Sequence, residues 1–240
     1  MAVTAAAVAV AEKPRRNACT LYFERKARKL GFRVIAGADE AGRGCLFGPV
    51  YAAAAVLDPE KPIRGLNDSK QLTAEQRERL AVEIRAKALG YAVAAASVAD
   101  IRRVNIYHAS RLATMRALQA LPVEPDYMLL DYLFVDLPVE QLSLVKGDER
   151  SRSIAAASIL AKVARDAAMK EWDTVYPQYK LAKNKGYGTA EHLAGLAEFG
   201  PTPQHRMAYA PVAAVSPEAK YRALLASAPE QASLFPVGWD

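Results

Sequence analysis

Three apolar segments of strand length in this chain run directly into carboxylates. FRVIAGAD leads into Asp39-Glu40, YMLLD ends at Asp131, and LSLVKGD ends at Asp148. An apolar strand belongs inside a sheet, whereas an ionised acid cannot be left alone in a core, so such junctions must sit at the rim of a sheet. Open α/β sheets place ligand sites at strand ends, where the backbone holds side chains rigidly.

The remaining periodicity supplies the rest of the sheet and its covering. A glycine-rich turn at 42–49 separates FRVIAGAD from a second apolar run, VYAAAAVL, and YAVAAASV reads as a third strand. Helices are expected at 17–30 with Gly31 as stop, at 73–89 with Thr73 as N-cap and Gly90 closing it, at 105–121, at 153–172, and in a C-terminal part at 190–198 and 217–227. Short connections between the first three strands predict antiparallel pairing, and the later helical crossovers predict strands added in parallel. The expected fold is α/β, a mixed β-sheet flanked by helices with a C-terminal helical extension. Residues 1–16 read as a flexible tail, 17–212 as the main domain and 213–240 as a C-terminal helix and tail.

Four acids gathered at one rim would repel and raise one another's pKa unless a cation lay among them. Their hard oxygens suit Mg²⁺ or Mn²⁺. The three histidines have no zinc-ligand spacing to the two cysteines, Cys19 and Cys45, which are also too few for a disulfide framework. Taken singly, each acid reads equally as a solvated strand-end residue.

Charge sharpens this only through its placement. The chain of 240 residues carries a formal net charge of +6. Residues 1–33 hold eight Lys/Arg against two acids, and residues 146–187 hold nine against five. A polyanionic partner fits that pattern. No apolar run reaches the roughly 18 residues of a membrane span, and the charge order of the N-terminus is not that of a signal peptide. A cytoplasmic protein is expected, with no sign of an oligomer and hence a monomer.

Asp39-Glu40-Ala41-Gly42-Arg43-Gly44, then Leu66-Asn67-Asp68-Ser69-Lys70, Lys146-Gly147-Asp148, the stretch Ala155 to Asp166 (AAASILAKVARD), and Lys185-Gly186-Tyr187-Gly188-Thr189 occur in the order seen in one family. Together they closely resemble ribonuclease HII over about residues 33–211. The resemblance implies a ribonuclease H-like sheet and cleavage of the RNA strand of RNA–DNA hybrids. It also implies cutting on the 5′ side of single ribonucleotides embedded in duplex DNA, leaving 3′-hydroxyl and 5′-phosphate ends. Asp39, Glu40, Asp131 and Asp148 are then the catalytic and metal-binding acids. Two Mg²⁺ or Mn²⁺ ions roughly 4 Å apart would activate water and stabilise the departing 3′ oxygen.

By the same resemblance Gly42, Arg43 and Gly44 read the ribose 2′-hydroxyl, the group that separates RNA from DNA at one nucleotide. Tyr187 stacks on the deoxyribose that follows, and Lys70 and Lys146 contact phosphates. The turn also reads as a plain strand connection, and either lysine as a solvated one. Asp166 competes with Asp148 for the fourth position. Its place well inside a helix favours a structural pairing with Arg165 or Lys162. Ser158 reads as a core or locally hydrogen-bonded residue.

Tyr132 stands where the family usually has glycine after the third aspartate. The tail Gln231-Ala232-Ser233-Leu234-Phe235 resembles the short peptide by which many bacterial replication proteins bind the sliding clamp. Two other readings compete: another nuclease of the same fold, such as a ribonuclease HIII or a resolvase-like protein, and a basic hybrid-binding module without chemistry. The Gly-Arg-Gly turn argues against the first and the four acids against the second.

Overall fold

The computed structural model describes residues 19–218. The tail at 1–16, most of the helix expected at 217–227 and the peptide at 231–235 lie outside the described residues. Five strands form one sheet: β1 (Ile35–Ala41), β2 (Val50–Val56), β3 (Gly90–Ala96), β4 (Tyr127–Asp131) and β5 (Glu140–Leu144), in the spatial order β3-β2-β1-β4-β5. β1 and β2 pair antiparallel, as do β2 and β3, while β4 lies parallel to both β1 and β5. This is the mixed sheet that the connection lengths predict.

Helices cover both faces, which is why the central strands are nearly continuous Ala, Val and Leu rather than alternating. On one face α3 (Val98–Gln119) lays Ala109, Ala113 and Ala117 against Ala36, Ala38, Ala52, Ala54, Met128 and Leu130. On the other, α2 (Ala74–Lys87) and α4 (Arg152–Val175) pack Leu80, Ile84, Ala155, Ala156, Ile159 and Leu160 on Ala53 and Ala55. The closest approach is at Gly37 in β1, where a Cβ would lie 2.1 Å from the Ser153 carbonyl carbon and 2.4 Å from the Ile154 nitrogen. Short helices α1 (Tyr22–Lys29), α5 (Leu181–Asn184), α6 (Ala190–Phe199) and α7 (Ala210–Ala213) complete the described chain.

Local chemistry explains most boundaries. Thr73 accepts from the Gln76 amide while the Gln76 side chain accepts from the Thr73 amide, a capping box that starts α2. Two expectations are corrected and one is extended. Gly90 does not close α2 but opens β3 opposite Val56. The helix expected at 105–121 does start there, with the Asn105 side chain accepting from the Tyr107 and His108 amides, but a further helical stretch from Val98, behind a Ser97–Asp100 capping box, runs into it across the break at Asn105, whose φ is 64°. The last strand covers Glu140–Leu144, not 142–148, because β5 ends where its partner ends, Leu144 opposite Asp131. Asp148 therefore stands beyond the strand, in a single 3₁₀ turn at Gly147–Glu149.

Candidate active site

Asp39 and Asp131 meet because β1 and β4 run parallel. The last paired residues, Ala38 and Leu130, are followed by the two aspartates on the face that carries α4. The turn bearing Asp148 folds back onto them, its Gly147 amide donating to Asp131 Oδ1 at 2.6 Å. Oxygens of Asp39, Asp131 and Asp148 lie within 4.8 Å of one another. Glu40, next along β1, stays outside that group. Its Oε1 is 3.3 Å from the Arg43 guanidinium, and its Oε2 is buried without a protein partner.

This cluster is short of positive charge. Asp39 and Asp148 are each only 4% exposed. Burial, then Glu40 and Asp131, push the Asp39 carboxyl well above the usual range. Burial and Asp131 push Asp148 up to about 6 despite Lys70, whose Nζ is 3.3 Å from its Oδ2. Burial also raises Asp131 and Glu40, against the amide of Gly147 and the charge of Arg43 respectively. Desolvation opposes the Lys70 charge, but Asp148, Asp68 and Asp39 outweigh it and hold the ammonium protonated. Buried hard oxygens, mutually repelling, with one orphaned Glu40 oxygen beside them, are a donor set that fits divalent Mg²⁺ or Mn²⁺.

The acids open on a cleft of about 220 Å³ lined by Asp39, Glu40, the Gly42-Arg43-Gly44 turn, Ser69, Lys70, Asp131, Ser158, Lys162 and Tyr187. Of the residues singled out in the sequence, Lys146 is not brought there: it is exposed and paired with Glu149 at 3.2 Å. Asp166 is also absent from the lining, held by Lys162 at 2.7 Å and facing Arg77 at 3.9 Å, rather than pairing with Arg165. Ser158 does not bond locally; its hydroxyl meets Ser69 Oγ at 3.0 Å. Ser69 and Lys162 were missed as lining residues, although both lie inside quoted motifs. Tyr132 takes a left-handed φ of 48°, the conformation a glycine adopts without strain, and its side chain is 66% exposed.

The turn and the tyrosine are held from behind. The Arg43 carbonyl accepts from Arg206 Nη1 at 2.8 Å and from the Tyr209 hydroxyl. Arg206 also donates to the carbonyls of Gly48 and Pro49. Among the described residues, the Arg43 and Gly44 amides donate to no protein acceptor. The Tyr187 carbonyl accepts from His192 Nδ1 at 2.9 Å, and His192 Nε2 lies 3.1 Å from His205 Nε2. The Thr202 amide donates to His205 Nδ1, which places the His205 proton on Nε2 and that of His192 on Nδ1. Both rings must be neutral for this chain of donors, and burial, then His192, lowers His205 to about 3.

Similarity to known proteins identifies the family. The Ribonuclease HII family profile matches residues 36–212. Ribonuclease HII of Solibacter usitatus is 52% identical over 198 residues, covering 82% of this chain and 87% of the relative. That of Enterococcus faecalis is 49% identical over 190 residues, covering 79% and 74%. Among solved structures, the ribonuclease H2 of Pyrococcus horikoshii superposes with a TM-score of 0.66 at 25% identity, covering 78% of this chain and 99% of that one. The PCNA:RNase HII complex of Archaeoglobus fulgidus gives 0.64 at 25% identity, covering 75% and 96%. With the profile spanning the sheet, all four acids and the Gly-Arg-Gly turn, the chain belongs to the ribonuclease HII family of metal-dependent endoribonucleases.

Proposed function

We propose that this endoribonuclease hydrolyses the RNA strand of RNA–DNA hybrids and cuts on the 5′ side of single ribonucleotides in duplex DNA, leaving 3′-hydroxyl and 5′-phosphate ends. The observation that carries the reading is a cluster of three aspartates, two of which, Asp39 and Asp131, line one cleft together with a turn whose amides face no protein acceptor. Asp39, Asp131, Asp148 and Glu40 would hold two Mg²⁺ or Mn²⁺ ions, which when bound activate the attacking water and stabilise the leaving 3′ oxygen.

The chain's own groups then divide the remaining work. Lys70 balances Asp148 and is exposed at the mouth of the cleft, where it can meet a phosphate. The free amides of Arg43 and Gly44 suit a 2′-hydroxyl, which both donates and accepts. Tyr187, 43% exposed on the opposite wall, offers its ring to the next sugar. Lys146, outside the cleft lining, would touch only a more distant phosphate.

A duplex DNA carrying one ribonucleotide tests this directly. Cleavage at that nucleotide is expected with Mg²⁺ or Mn²⁺ and none with chelator. Tight binding without metal-dependent cleavage would instead identify a non-catalytic hybrid-binding module.

The Archaeoglobus fulgidus relative was solved with PCNA, which favours a clamp partner for this chain through Gln231-Ala232-Ser233-Leu234-Phe235. A peptide of that sequence is expected to bind a bacterial sliding clamp. No affinity at ~100 μM, about 5.5 kcal/mol, would sink the idea.

A further inference from the structure

We propose that Arg165 is a positioning residue that sets the Gly42-Arg43-Gly44 turn against the Tyr187 loop, and so determines which phosphodiester bond of a ribonucleotide-containing strand is cut. The inference rests on the function proposed above, in which those two loops read the ribose and the sugar that follows it.

Arg165 lies in the middle of α4 with 0% exposure. Its Nη1 donates to the Lys185 carbonyl at 2.7 Å and its Nη2 to the Phe47 carbonyl at 3.4 Å. One fork thus holds the base of the Tyr187 loop and the end of the glycine-rich turn. Its Cζ lies 5.8 Å from the Tyr187 ring centroid. Gly42 packs directly on it: a Cβ there would be 2.1 Å from Nε, and Gly42 has a φ of +97°. Gly186 borders it less tightly, its Cβ position 3.1 Å from both Nη2 and the Phe47 carbonyl oxygen. The glycines on either side of the cleft are therefore shaped around this guanidinium.

Charge neutralisation does not account for Arg165. No carboxylate of the described residues pairs with it, since the adjacent Asp166 is taken by Lys162 and Arg77. Its Nε is buried without a partner. A guanidinium taken out of water without a counter-charge is costly, and what it supplies here is geometry, two carbonyls held at a fixed separation by a planar fork. Arg206 is the other buried arginine at the cleft. Its side chain donates to carbonyls of the turn, Arg43, Gly48 and Pro49, and to the Tyr209 hydroxyl, and makes no hydrogen bond to the Tyr187 loop among the described residues. The loops also meet directly, through the Leu46 amide and the Gly186 carbonyl at 2.8 Å and through a hydrogen bond between the Cys45 and Tyr187 side chains, and the Arg165 fork ties both loops to the helix behind them.

Arg165→Lys keeps the charge but replaces the planar fork with a single ammonium, which cannot hold the two carbonyls at the fork's fixed separation. The test is a duplex in which a short run of ribonucleotides is followed by DNA, cut in Mg²⁺ and mapped at each bond, beside a duplex with one ribonucleotide. Wild-type protein is expected to favour the bond at the RNA–DNA junction. Arg165→Lys should spread cutting along the run and lower kcat/KM on the single ribonucleotide about 10- to 100-fold, the scale of a misplacement near 1 Å. Its melting temperature and the Mg²⁺ concentration for half-maximal rate should hold near wild type.

Cutting confined to the junction, at whatever rate, overturns the proposal, because a purely structural loss lowers the rate without moving the cut. Should Arg165→Lys not fold, Arg165→Gln, whose short amide can reach at most one of the two carbonyls, must show the same spreading; unchanged site choice there overturns it too. A wild-type protein that leaves the single ribonucleotide intact overturns the parent function, and this inference with it. Wild-type cutting with an unmoved pattern in the variant overturns this inference alone.

Discussion

Asp39→Asn is expected to lower metal-dependent cleavage at least ~1,000-fold, about 4 kcal/mol of transition-state stabilisation, while raising the melting temperature of the metal-free protein. The two effects have one origin. Asp39 is buried beside Glu40 and Asp131, which push its pKa well above the ordinary value. A carboxyl whose folded pKa is raised is more readily protonated in the folded chain than in the unfolded one. The stability it contributes is therefore present at low pH and lost as pH rises through the folded value. For Asp148 that window runs from the usual 3.8 up to about 6. At neutral pH without metal, these acids are a net strain on the fold.

Asparagine at position 39 removes one of the repelling charges and keeps the Oδ1 that accepts from the Glu40 amide at 2.7 Å. A gain of a few degrees is expected in chelator, one kcal/mol being worth about 2–4 °C at this size. Mg²⁺ or Mn²⁺ should raise the wild-type melting temperature and shift the variant's much less. Cleavage within ten-fold of wild type, or a variant less stable in chelator, would remove Asp39 from the role proposed. The companion pair is Asp148→Asn, expected to fail like Asp39→Asn, and Asp166→Asn, expected to cut normally because Asp166 is engaged by Lys162. The reverse pattern would transfer the fourth position to Asp166.

Gly37→Ala is expected to be the most damaging single methyl in the chain. Its Cβ would meet the backbone of α4, 2.1 Å from the Ser153 carbonyl carbon, and backbone cannot rotate away as a side chain can. Overpacking of this kind costs about 3 kcal/mol or more, which corresponds to a fall of roughly 10 °C at this size. Thermal melting checks it, and a variant within 2 °C (about 1 kcal/mol) of wild type would show that α4 can slide. Function follows, because Gly37 and Asp39 face α4 together, two residues apart on one strand. Displacing the helix there also displaces Ser158 and Lys162 from the cleft.

The order of strands and helices was legible because local chemistry announces it. Apolar runs stop at acids or glycines, Thr73 caps α2, and short against long connections separate antiparallel from parallel pairing. The start of α3 was legible too but was missed: Ser97 and Asp100 stand in the spacing of a capping box. The end of β5 was not. Val145 and Lys146 continue the strand-like pattern, and only the lack of a partner beyond Asp131 ends the ladder at Leu144. Lys146 shows the same limit at the site, since its motif placed it near Asp148 in sequence while the turn directs its ammonium to Glu149.

The order of residues along the chain already specifies the kinds of group this protein can use: carboxylates at the ends of apolar strands, a Gly-Arg-Gly turn, a tyrosine between glycines, and an order of motifs that names the family. The tertiary structure alone decided which of them share a cleft and what holds them there. IAGADEA and VYAAAAV are small and apolar on both faces, so no alternation marks the side on which Asp39 lies. Likewise nothing in AKVARD tells that Arg165 is turned inward between two loops while Asp166, beside it, is not. Local sequence encodes backbone preference and side-chain chemistry, but register, face and close approach are set by partners outside the local segment, as between Arg165 and Phe47, 118 residues apart.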